Sequence, residues 1–297
     1  SGDFQTFNGT SNKRIVRLLS NGAVDNTFTT GLGVEGPVRA SALQPNDKLI
    51  IGGLFNSYNT TTIKNLARIN SDGTIDNTFN PGTSFNSDAL SIAVQSDGKL
   101  VLGGFFTTFN GNTVNRIARL NSNGTLDLSF DIGTGFNSTA RSVAIDSNGK
   151  IILGGDFTSY NGTLVSRLIR LESSGHLDFT FNPSSGTNAA INTSEILSDG
   201  KIIIGGMGFV QRLNTDGSID TSFIIGTGFN NVVKDIVIQP DGRILLAGEY
   251  HASSNAYDSG VIVLARLNID GTVDQTFGQK GKVNLNLSIP NQDLIGD

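Results

Sequence analysis

The chain has 297 residues with 37 glycines, 16% charged residues and no cysteine, and its formal charge is −5. An acidic chain without a Lys/Arg cluster argues against a nucleic-acid partner, because phosphate binding needs a basic surface. The lack of cysteine excludes disulfides and thiolate metal sites, and no apolar stretch reaches the roughly 18 residues that a membrane-spanning helix needs, so we expect no membrane insertion.

A unit of about fifty residues is repeated along the chain. In each copy an Arg is followed eight residues later by an Asp, and a Phe follows three residues after the Asp. Six copies predict an all-β fold, a six-bladed β-propeller of four-stranded antiparallel blades that includes residues 1–297 in a single domain. The arginines are Arg17, Arg68, Arg119, Arg170, Arg212 and Arg266, which are 51, 51, 51, 42 and 54 residues apart.

The first unit begins in its middle, because Gly2 to Gly9 correspond to Gly155 to Gly162 of the fourth unit. It lacks the two strands that open the other units, and we expect the segment to be part of a longer protein. At the other end, Lys282 to Ile289 alternate apolar and polar residues as a half-buried strand does. We expect this tail to complete the first blade, which is then split between the amino- and carboxyl-terminal segments. An array that continues in the longer protein is the alternative.

The third unit shows the predicted strands of a blade. Runs of high β-propensity lie at Ser91 to Gln95, Lys99 to Gly104, Arg116 to Asn121 and Thr125 to Phe130. The first two are joined by a tight turn in which Gly98 supplies the positive φ that the turn requires.

The second hairpin of each unit has a predicted register. With a three-residue loop at 71–73, Ile69 lies opposite Ile75 and Arg68 lies opposite Asp76. All six copies then form an apolar cross-strand pair. Each Arg and Asp form an ion pair on the other face, sandwiched between blades. Because six equivalent copies cannot all be one active site, we interpret these pairs as structural. The other apolar pairs are Leu18–Val24, Leu120–Leu126, Leu171–Leu177, Leu213–Ile219 and Leu267–Val273.

Loops on one face of the predicted propeller are long and place aromatic residues beside asparagines, as at Tyr160 and Asn161 in the fourth unit. Exposed rings and amides suit sugar recognition through stacking and hydrogen bonds. The alternative is that the rings pack blade against blade and the asparagines cap turns. The number of equal copies favours this packing interpretation.

Two units break the pattern on the same face. The fifth unit, from Gly206 to Arg212, has almost no loop between its second and third strands, whereas the sixth unit inserts Glu249 to Gly260 at that place. A gap beside a raised loop forms a notch, in which we expect a ligand to bind. The candidate ligand-binding residues are Tyr250, His251, Asn255, Tyr257, Asp258, Tyr160 and Asn161.

Catalytic and metal-binding patterns are not found. The two histidines, His176 and His251, are in different units, so neither a Ser-His-Asp triad nor a two-histidine metal site is indicated. Turns such as Asn70 to Gly73 resemble a calcium loop, but Arg68 would occupy the first ligand position and oppose a cation. We therefore expect no enzyme activity, no cofactor and no bound metal.

Recurring segments of the units lie at Ser96 to Gly104, Asn115 to Asn121, Gly124 to Asp127, Gly133 to Asn137 and Thr276 to Gly278. In these segments the units resemble the delta-sixty repeat, a bacterial β-propeller repeat family of largely unassigned function. The resemblance implies a large bacterial surface or secreted protein and no catalytic residues. The chain departs from the pattern at Asn46 and Asp47, which replace Asp-Gly, in the short fifth unit and in the insertion of the sixth.

Three functions are compatible with these patterns. The first is a non-enzymatic extracellular or cell-surface module for adhesion, with a protein or glycan ligand at the long-loop face. The second is a structural spacer or assembly subunit of a large surface protein or appendage. The third, supported by fold analogy alone, is a propeller enzyme that acts on polysaccharide in the central channel.

Overall fold

The structure is a computed structural model that describes residues 1–183, 189–225, 232–250 and 261–285, and within these ranges it contains β-strands and no helix. The strands form a series of antiparallel sheets of similar design. The predicted all-β, propeller-like repeat is therefore confirmed. None of the described residues belongs to a helix that could cross a membrane.

Each of the second to sixth units contributes three main antiparallel strands, which we call inner, middle and outer; the middle strand pairs with the other two. With strands numbered in chain order, the inner strands are β4 (Val38–Leu43), β9 (Ala89–Val94), β14 (Ala140–Ile145), β19 (Ile191–Ile196) and β22 (Val233–Ile238). The middle strands are β5 (Leu49–Gly53), β10 (Leu100–Gly104), β15 (Ile151–Gly155), β20 (Ile202–Gly206) and β23 (Ile244–Tyr250). The outer strands are β8 (Leu66–Ile69), β13 (Ile117–Leu120), β18 (Leu168–Leu171), β21 (Phe209–Leu213) and β24 (Val261–Leu267).

The inner strand of each of these units packs against the inner strand of the next, in the order β4, β9, β14, β19 and β22. The apolar core lies between neighbouring sheets. Ile50 and Leu66 of the second unit, for example, share one fully buried cluster with Leu100 and Phe106 of the third. Burial of one such side chain contributes roughly 1.5 to 3 kcal/mol, so each sheet depends on its neighbours for stability.

The loops between the middle and outer strands contain short strands. They pair as small hairpins, and in the second unit the hairpin also pairs with β3 (Val34–Glu35), which precedes the inner strand. The hairpin strands are β1 (Thr6–Phe7) with β2 (Thr10–Ser11), β6 (Ser57–Tyr58) with β7 (Thr61–Thr62), β11 (Thr108–Phe109) with β12 (Asn112–Thr113), and β16 (Ser159–Tyr160) with β17 (Thr163–Leu164).

The predicted register of the second hairpin is confirmed in all six units. Ile69 forms an isolated bridge with Ile75, and the five equivalent apolar pairs form the same bridge. The segment after the turn makes this single bridge rather than a fourth strand like the one predicted over 125–130. The reason is that the Asp76 carboxylate accepts a hydrogen bond from Thr78 N at 2.9 Å and turns the chain away.

The Arg of each of the first five units joins that unit to the next. In the third unit, Arg119 Nε lies 2.7 Å from Asp127 Oδ2, and its guanidinium stacks 4.6 Å from the centre of the Phe130 ring. Its Nη1 donates to the backbone carbonyl of Ser173 in the fourth unit. The prediction of a structural ion pair between units is therefore confirmed. The other pairs are Arg17–Asp25, Arg68–Asp76, Arg170–Asp178, Arg212–Asp220 and Arg266–Asp274.

The carboxyl-terminal tail differs from the prediction. Its described part forms β25 (Lys282–Asn284), which pairs with β24 of the sixth unit and not with the first unit. The outer strand of the sixth unit is longer than its equivalents, and its side away from β23 pairs with β25 at Val263 to Ala265. The predicted split first blade is therefore not formed by Lys282 to Asn284. Residues 286–297 lie outside the described residues.

Candidate functional site

The aromatic residues of the long loops in the second to fourth units lie in the core. Tyr160 is 3% exposed, and its hydroxyl donates to the backbone carbonyl of Gly175 at 2.6 Å. Burial raises the pKa of Tyr160 above its usual range. Phe136 stacks on Phe157 with ring centres 4.2 Å apart. The packing interpretation is therefore confirmed for these rings, and Tyr160 presents no free face on which a sugar could stack. Other rings of this kind that are buried are Phe55, Tyr58, Phe106 and Phe109.

Asn161 stabilises the loop that enters the fourth unit. Its side-chain oxygen accepts a hydrogen bond from Thr134 N at 3.1 Å. Gly133 lies so close to this amide that a Cβ on it would be 2.2 Å from Asn161 Oδ1. Asn59 and Asn110 cap the equivalent loops in the same way. Asn161 is exposed, so ligand binding by this residue stays a prediction in addition to its capping role.

The gap predicted in the fifth unit is present. Strands β20 and β21 are joined directly by the two-residue turn Met207-Gly208, with Gly206 paired to Phe209. Met207 is 67% exposed at this turn. Of the residues predicted on the raised loop beside it, Tyr250 is the last residue of β23. The candidates His251, Asn255, Tyr257 and Asp258 lie outside the described residues.

Two positions in each of the second to sixth units lie at this end of the sheet, and Met207 occupies one of them in the fifth unit. The first is a bulged residue near the start of the inner strand, where the register shifts by one residue. The second is the residue directly after the Gly that ends the pairing of the inner and middle strands. We call both the rim positions. The bulged residues are Arg39, Leu90, Arg141, Asn192 and Lys234, and the second set is Leu54, Phe105, Asp156, Met207 and Glu249.

A close backbone approach accompanies the bulge. A Cβ on Gly155 would lie 2.1 Å from the carbonyl oxygen of Thr139, and a Cβ on Gly104 would lie 2.1 Å from that of Asp88. Glycine therefore lets the segment before the inner strand cross directly over the end of the middle strand. The bulge then redirects one side chain of the inner strand, as β-bulges commonly do beside binding sites.

Rim positions contact each other within two of the units. Arg141 Nη2 lies 2.8 Å from Asp156 Oδ2 in the fourth unit, and Lys234 Nζ lies 3.4 Å from Glu249 Oε1 in the sixth. In the fifth unit between them, Asn192 Nδ2 donates to the backbone carbonyl of Val233 at 2.9 Å. The exposed Met207 therefore belongs to a unit that is flanked by one ion-paired unit on each side.

The side chains at the rim positions differ in chemistry from unit to unit. The repeated Arg, Asp and Phe, which we call the frame, are the same in all six units. Sequence reasoning did not identify them. The signal that could have identified them is the residue directly after each glycine pair. This residue is Leu, Phe, Asp and Met in the second to fifth units, respectively. We call Arg141, Asp156, Met207, Lys234 and Glu249 the rim site. It combines an adaptable apolar side chain with charges of both signs.

A separate pair of carboxyl groups lies on neighbouring inner strands. Burial, with a smaller effect of the nearby Asp235 charge, raises the pKa of Glu195 on β19 to about 7. Burial also raises the pKa of Asp235 on β22, whose carboxylate accepts a hydrogen bond from Ile236 N at 2.8 Å. No group of three His, Cys, Asp or Glu side chains within the described ranges is placed to hold a metal ion.

Comparison with known families gives one match over most of the chain. A family model described as "Domain of unknown function (DUF5122) beta-propeller" matches residues 1–28, 44–79, 95–130, 147–181, 197–223 and 239–277. A comparison with curated proteins gives no match.

Solved structures with a similar fold have low sequence identity. A protein of unknown function from Bacteroides caccae has a TM-score of 0.50 and 13% identity over 83% of this chain and 85% of its own. The WD40 β-propeller domain of Doa1 has a TM-score of 0.53 and 13% identity, with 85% and 70% coverage. An inactive virginiamycin B lyase from Staphylococcus aureus has a TM-score of 0.50 and 18% identity, with 89% and 74% coverage. At these identities the likeness shows the fold alone.

Proposed function

This chain belongs to the DUF5122 β-propeller family, and from that premise we propose that it is a non-enzymatic module that binds a protein partner through the rim site. We propose a bacterial cell-surface or extracellular location, which the resemblance to the delta-sixty repeat supports. We also propose that the propeller has six blades.

Exposed Met207 is the observation that supports binding at the rim. A large apolar side chain that is 67% exposed at a two-residue turn has most of its surface outside the core of its own sheet. Methionine is flexible and polarizable, and it is frequent on surfaces that adapt to a partner. The ion pairs Arg141–Asp156 and Lys234–Glu249 supply the charges that orient an approaching protein.

The residue types at the rim are more typical of a site for a protein ligand than of a site for a glycan. Sugar sites use exposed aromatic rings for stacking, and the repeated rings of the long loops are buried in the second to fourth units. Among the rim positions of the second to sixth units, Phe105 is the single aromatic residue. Protein interfaces, in contrast, are enriched in methionine and arginine, both of which the rim site contains.

The test compares two exposed apolar residues at opposite ends of the sheets. Met207→Glu changes the rim, and Leu43→Glu is the matched control, because Leu43 is 66% exposed at the other end of an inner strand. The full chain and both variants are immobilised and exposed to envelope proteins of a bacterium that encodes the chain. Captured proteins are quantified by mass spectrometry, and a glycan array is probed in parallel.

We expect a protein that the wild-type chain and Leu43→Glu retain and that Met207→Glu loses. Loss with both variants, or with neither, would contradict binding at the rim. Saturable glycan binding without a captured protein would favour the glycan ligand instead.

A structural spacer is the second candidate, and the inter-unit contacts of the arginines support it. Arg17, Arg68, Arg170 and Arg212 each donate to a backbone carbonyl in the following unit, as Arg119 does. A chain of such contacts suits a load-bearing array. Unfolding of the single chain under force in one cooperative step would support this function, and stepwise loss of individual units at low force would count against it.

A further inference from the structure

Two exposed isoleucines lie at one junction between units, at the tight-turn end of the sheets and opposite the rim. Ile224 is 65% exposed and Ile269 is 60% exposed. Ile224, which follows the frame Phe of the fifth unit, donates its backbone N–H to the carbonyl of Asp270 at 2.9 Å. Asp270 is the next residue after Ile269 in the second turn of the sixth unit. The fifth and sixth units therefore present the two apolar side chains side by side.

The four preceding junctions have the same backbone contact but polar side chains. In each, the residue after the frame Phe donates its N–H to the carbonyl of the second residue in the next unit's turn. The residues equivalent to Ile224 are Thr29, Asn80, Asp131 and Asn182, and those equivalent to Ile269 are Ser71, Ser122, Ser173 and Thr215. The fold therefore does not require an apolar residue at either place.

Acidic residues are concentrated in the turns of the same two units. Every tight turn of the fifth and sixth units has an exposed Asp before its Gly; these are Asp199, Asp216, Asp241 and Asp270. The four turns of the third and fourth units have Asp97, Asn123, Asn148 and Ser174 at this place. A Cβ on Gly242 would lie 3.4 Å from Ile269 Cδ1, so the Ile269 side chain lies beside the turn that contains Asp241.

The turns do not need these charges. Asp270 Oδ1 accepts hydrogen bonds from Thr272 N at 3.0 Å and from Thr272 Oγ1 at 2.7 Å. Asn123 accepts the same two bonds from Thr125 in the third unit, so an amide closes the turn as a carboxylate does. The hydrogen bond from the Thr272 hydroxyl lowers the pKa of Asp270, which is therefore ionised at neutral pH.

Cations at the ends of these turns already have carboxylate partners. Lys201 Nζ lies 2.9 Å from Oδ2 of the buried Asp220, and Arg243 Nη1 lies 3.0 Å from Asp241 Oδ2. The exposed charge around the two isoleucines is therefore predominantly negative.

We propose that Ile224, Ile269, Asp241 and Asp270, which we call the turn patch, bind a protein partner whose docking segment carries Lys or Arg beside apolar side chains. The apolar side chains of the partner cover the isoleucines, because neighbouring apolar residues left in contact with water are a common mark of an interaction site. Its cations meet the acidic turns, and this charge complementarity selects a basic segment over an acidic one. The turn patch is separate from the rim site, so one chain can hold a partner at each end.

The test uses three short synthetic peptides with a fluorescent label and blocked ends. The first has the sequence Gly-Lys-Leu-Leu-Lys-Gly, the second replaces both Leu by Ser, and the third replaces both Lys by Glu. Each peptide is titrated with the full chain, with the double variant Ile224→Thr/Ile269→Ser and with Met207→Glu, and binding is followed by fluorescence anisotropy. Thr29 and Ser71 occupy the equivalent places at the first junction, so the double variant should fold, and its melting temperature verifies this.

We expect the first peptide to bind saturably and with equal affinity to the wild-type chain and to Met207→Glu. The other two peptides should bind at least about tenfold more weakly to the wild-type chain, and the first peptide should lose about the same factor with the double variant. Asp270→Asn should weaken binding of the first peptide by about threefold or more, because the amide keeps the turn but removes the charge.

Three results would overturn the proposal: absence of saturable binding, equal affinity of the first two peptides, or unchanged binding to the double variant. Loss of binding with Met207→Glu but not with the double variant would also overturn it, because the peptide would then be bound at the rim. Sedimentation velocity of the wild-type chain and the double variant covers the remaining occupant. Self-association that the double variant lacks would count against the proposal, since a second copy of the chain would then cover the turn patch.

Discussion

Arg119 combines three contacts that few other side chains could make together. Its planar guanidinium pairs with Asp127, stacks on Phe130 and donates to Ser173 of the next unit. Arginine is suited to this place because its charge is delocalised and its five donors are held in a rigid plane. The side chain is 6% exposed, so these contacts are protected from water.

The first prediction compares Arg119→Leu with Arg17→Leu. Arg119→Leu leaves a buried Asp without its main partner, and we expect a loss of about 3 kcal/mol in the free energy of unfolding. Arg17 makes equivalent contacts but its side chain is 39% exposed, so we expect a much smaller loss there. Urea unfolding at pH 7 measures both. Equal losses would show that burial between units does not determine the strength of the pair.

The second prediction concerns Glu195, whose pKa is raised from 4.5 to about 7. The folded chain binds this proton more tightly than the unfolded chain, so the stability it contributes is complete below pH 4.5 and is lost as the pH rises through about 7. Glu195→Gln imitates the protonated form. We expect it to be roughly 1 to 3 kcal/mol more stable than the wild-type chain at pH 8 and similar to it at pH 4. Parallel pH profiles of the two proteins in urea unfolding would disprove the shift.

At the scale of the strand, a glycine pair ends the middle strands of the second to fifth units and lets the preceding loops approach the rim closely. Gly155 touches the backbone of the segment before β14, where a Cβ would lie 2.1 Å from Thr139 O. Backbone cannot move aside as the end of a flexible side chain can. The position therefore requires glycine because of the lack of space.

The third prediction is that Gly155→Ala destabilises the chain more than Gly149→Ala does. Gly149 lies in the tight turn of the same unit at φ +79°, with nothing within 4 Å of an added Cβ. Its substitution should cost about 1 kcal/mol of backbone strain, whereas Gly155→Ala should cost up to about 3 kcal/mol through overpacking. Melting temperatures of the two variants give the order. A lower melting temperature for Gly149→Ala would be evidence against the close approach.

Features determined by local pairing were predictable from the sequence. The bridge between Ile69 and Ile75 follows from loop length and from the need to place two apolar side chains on one face. The bulge at Arg141 was not predictable, because it depends on contact between a loop and the end of another strand. The pairing of β25 with β24 was missed for a similar reason, since alternation of apolar residues defines a strand but not its partner.

Over the whole molecule, the aspartates of the frame contribute to stability in the opposite pH range from Glu195. Two cations and a neighbouring hydroxyl hold the pKa of Asp76, Asp127 and Asp178 well below the usual range. A lowered carboxyl pKa stabilises the fold above the pKa of the unfolded chain, and this stability is lost as the pH falls through the folded value.

The fourth prediction is therefore a stability maximum between about pH 4 and 5. Below it the unfolded chain takes up protons on aspartates that stay ionised in the folded chain, and above it the unfolded chain loses the Glu195 proton that the folded chain keeps up to about pH 7. The free energy of unfolding in urea, measured from pH 3 to pH 8, gives the profile. A maximum above pH 7 would mean that the buried carboxyl groups on the inner strands are not protonated in the folded protein.

In the whole molecule, the frame residues are the same in every unit, whereas the rim residues differ from unit to unit. Frame residues such as Arg119 and Asp127 recur because every unit must bind the next one. The rim is free of that requirement, which is why Met207 can occupy a position where the fourth unit has Asp156. Binding should therefore be sensitive to rim substitutions that leave folding intact.

The most direct test is a set of dissociation constants for the purified partner protein captured by the wild-type chain. Single Glu substitutions are introduced at the rim residues Leu54, Phe105 and Met207 and at the opposite-end control Leu43, all exposed apolar residues. We predict unchanged melting temperatures, an affinity at least about tenfold weaker for Met207→Glu, and no change for Leu43→Glu. Equal affinities across all four variants would contradict the rim as the binding site.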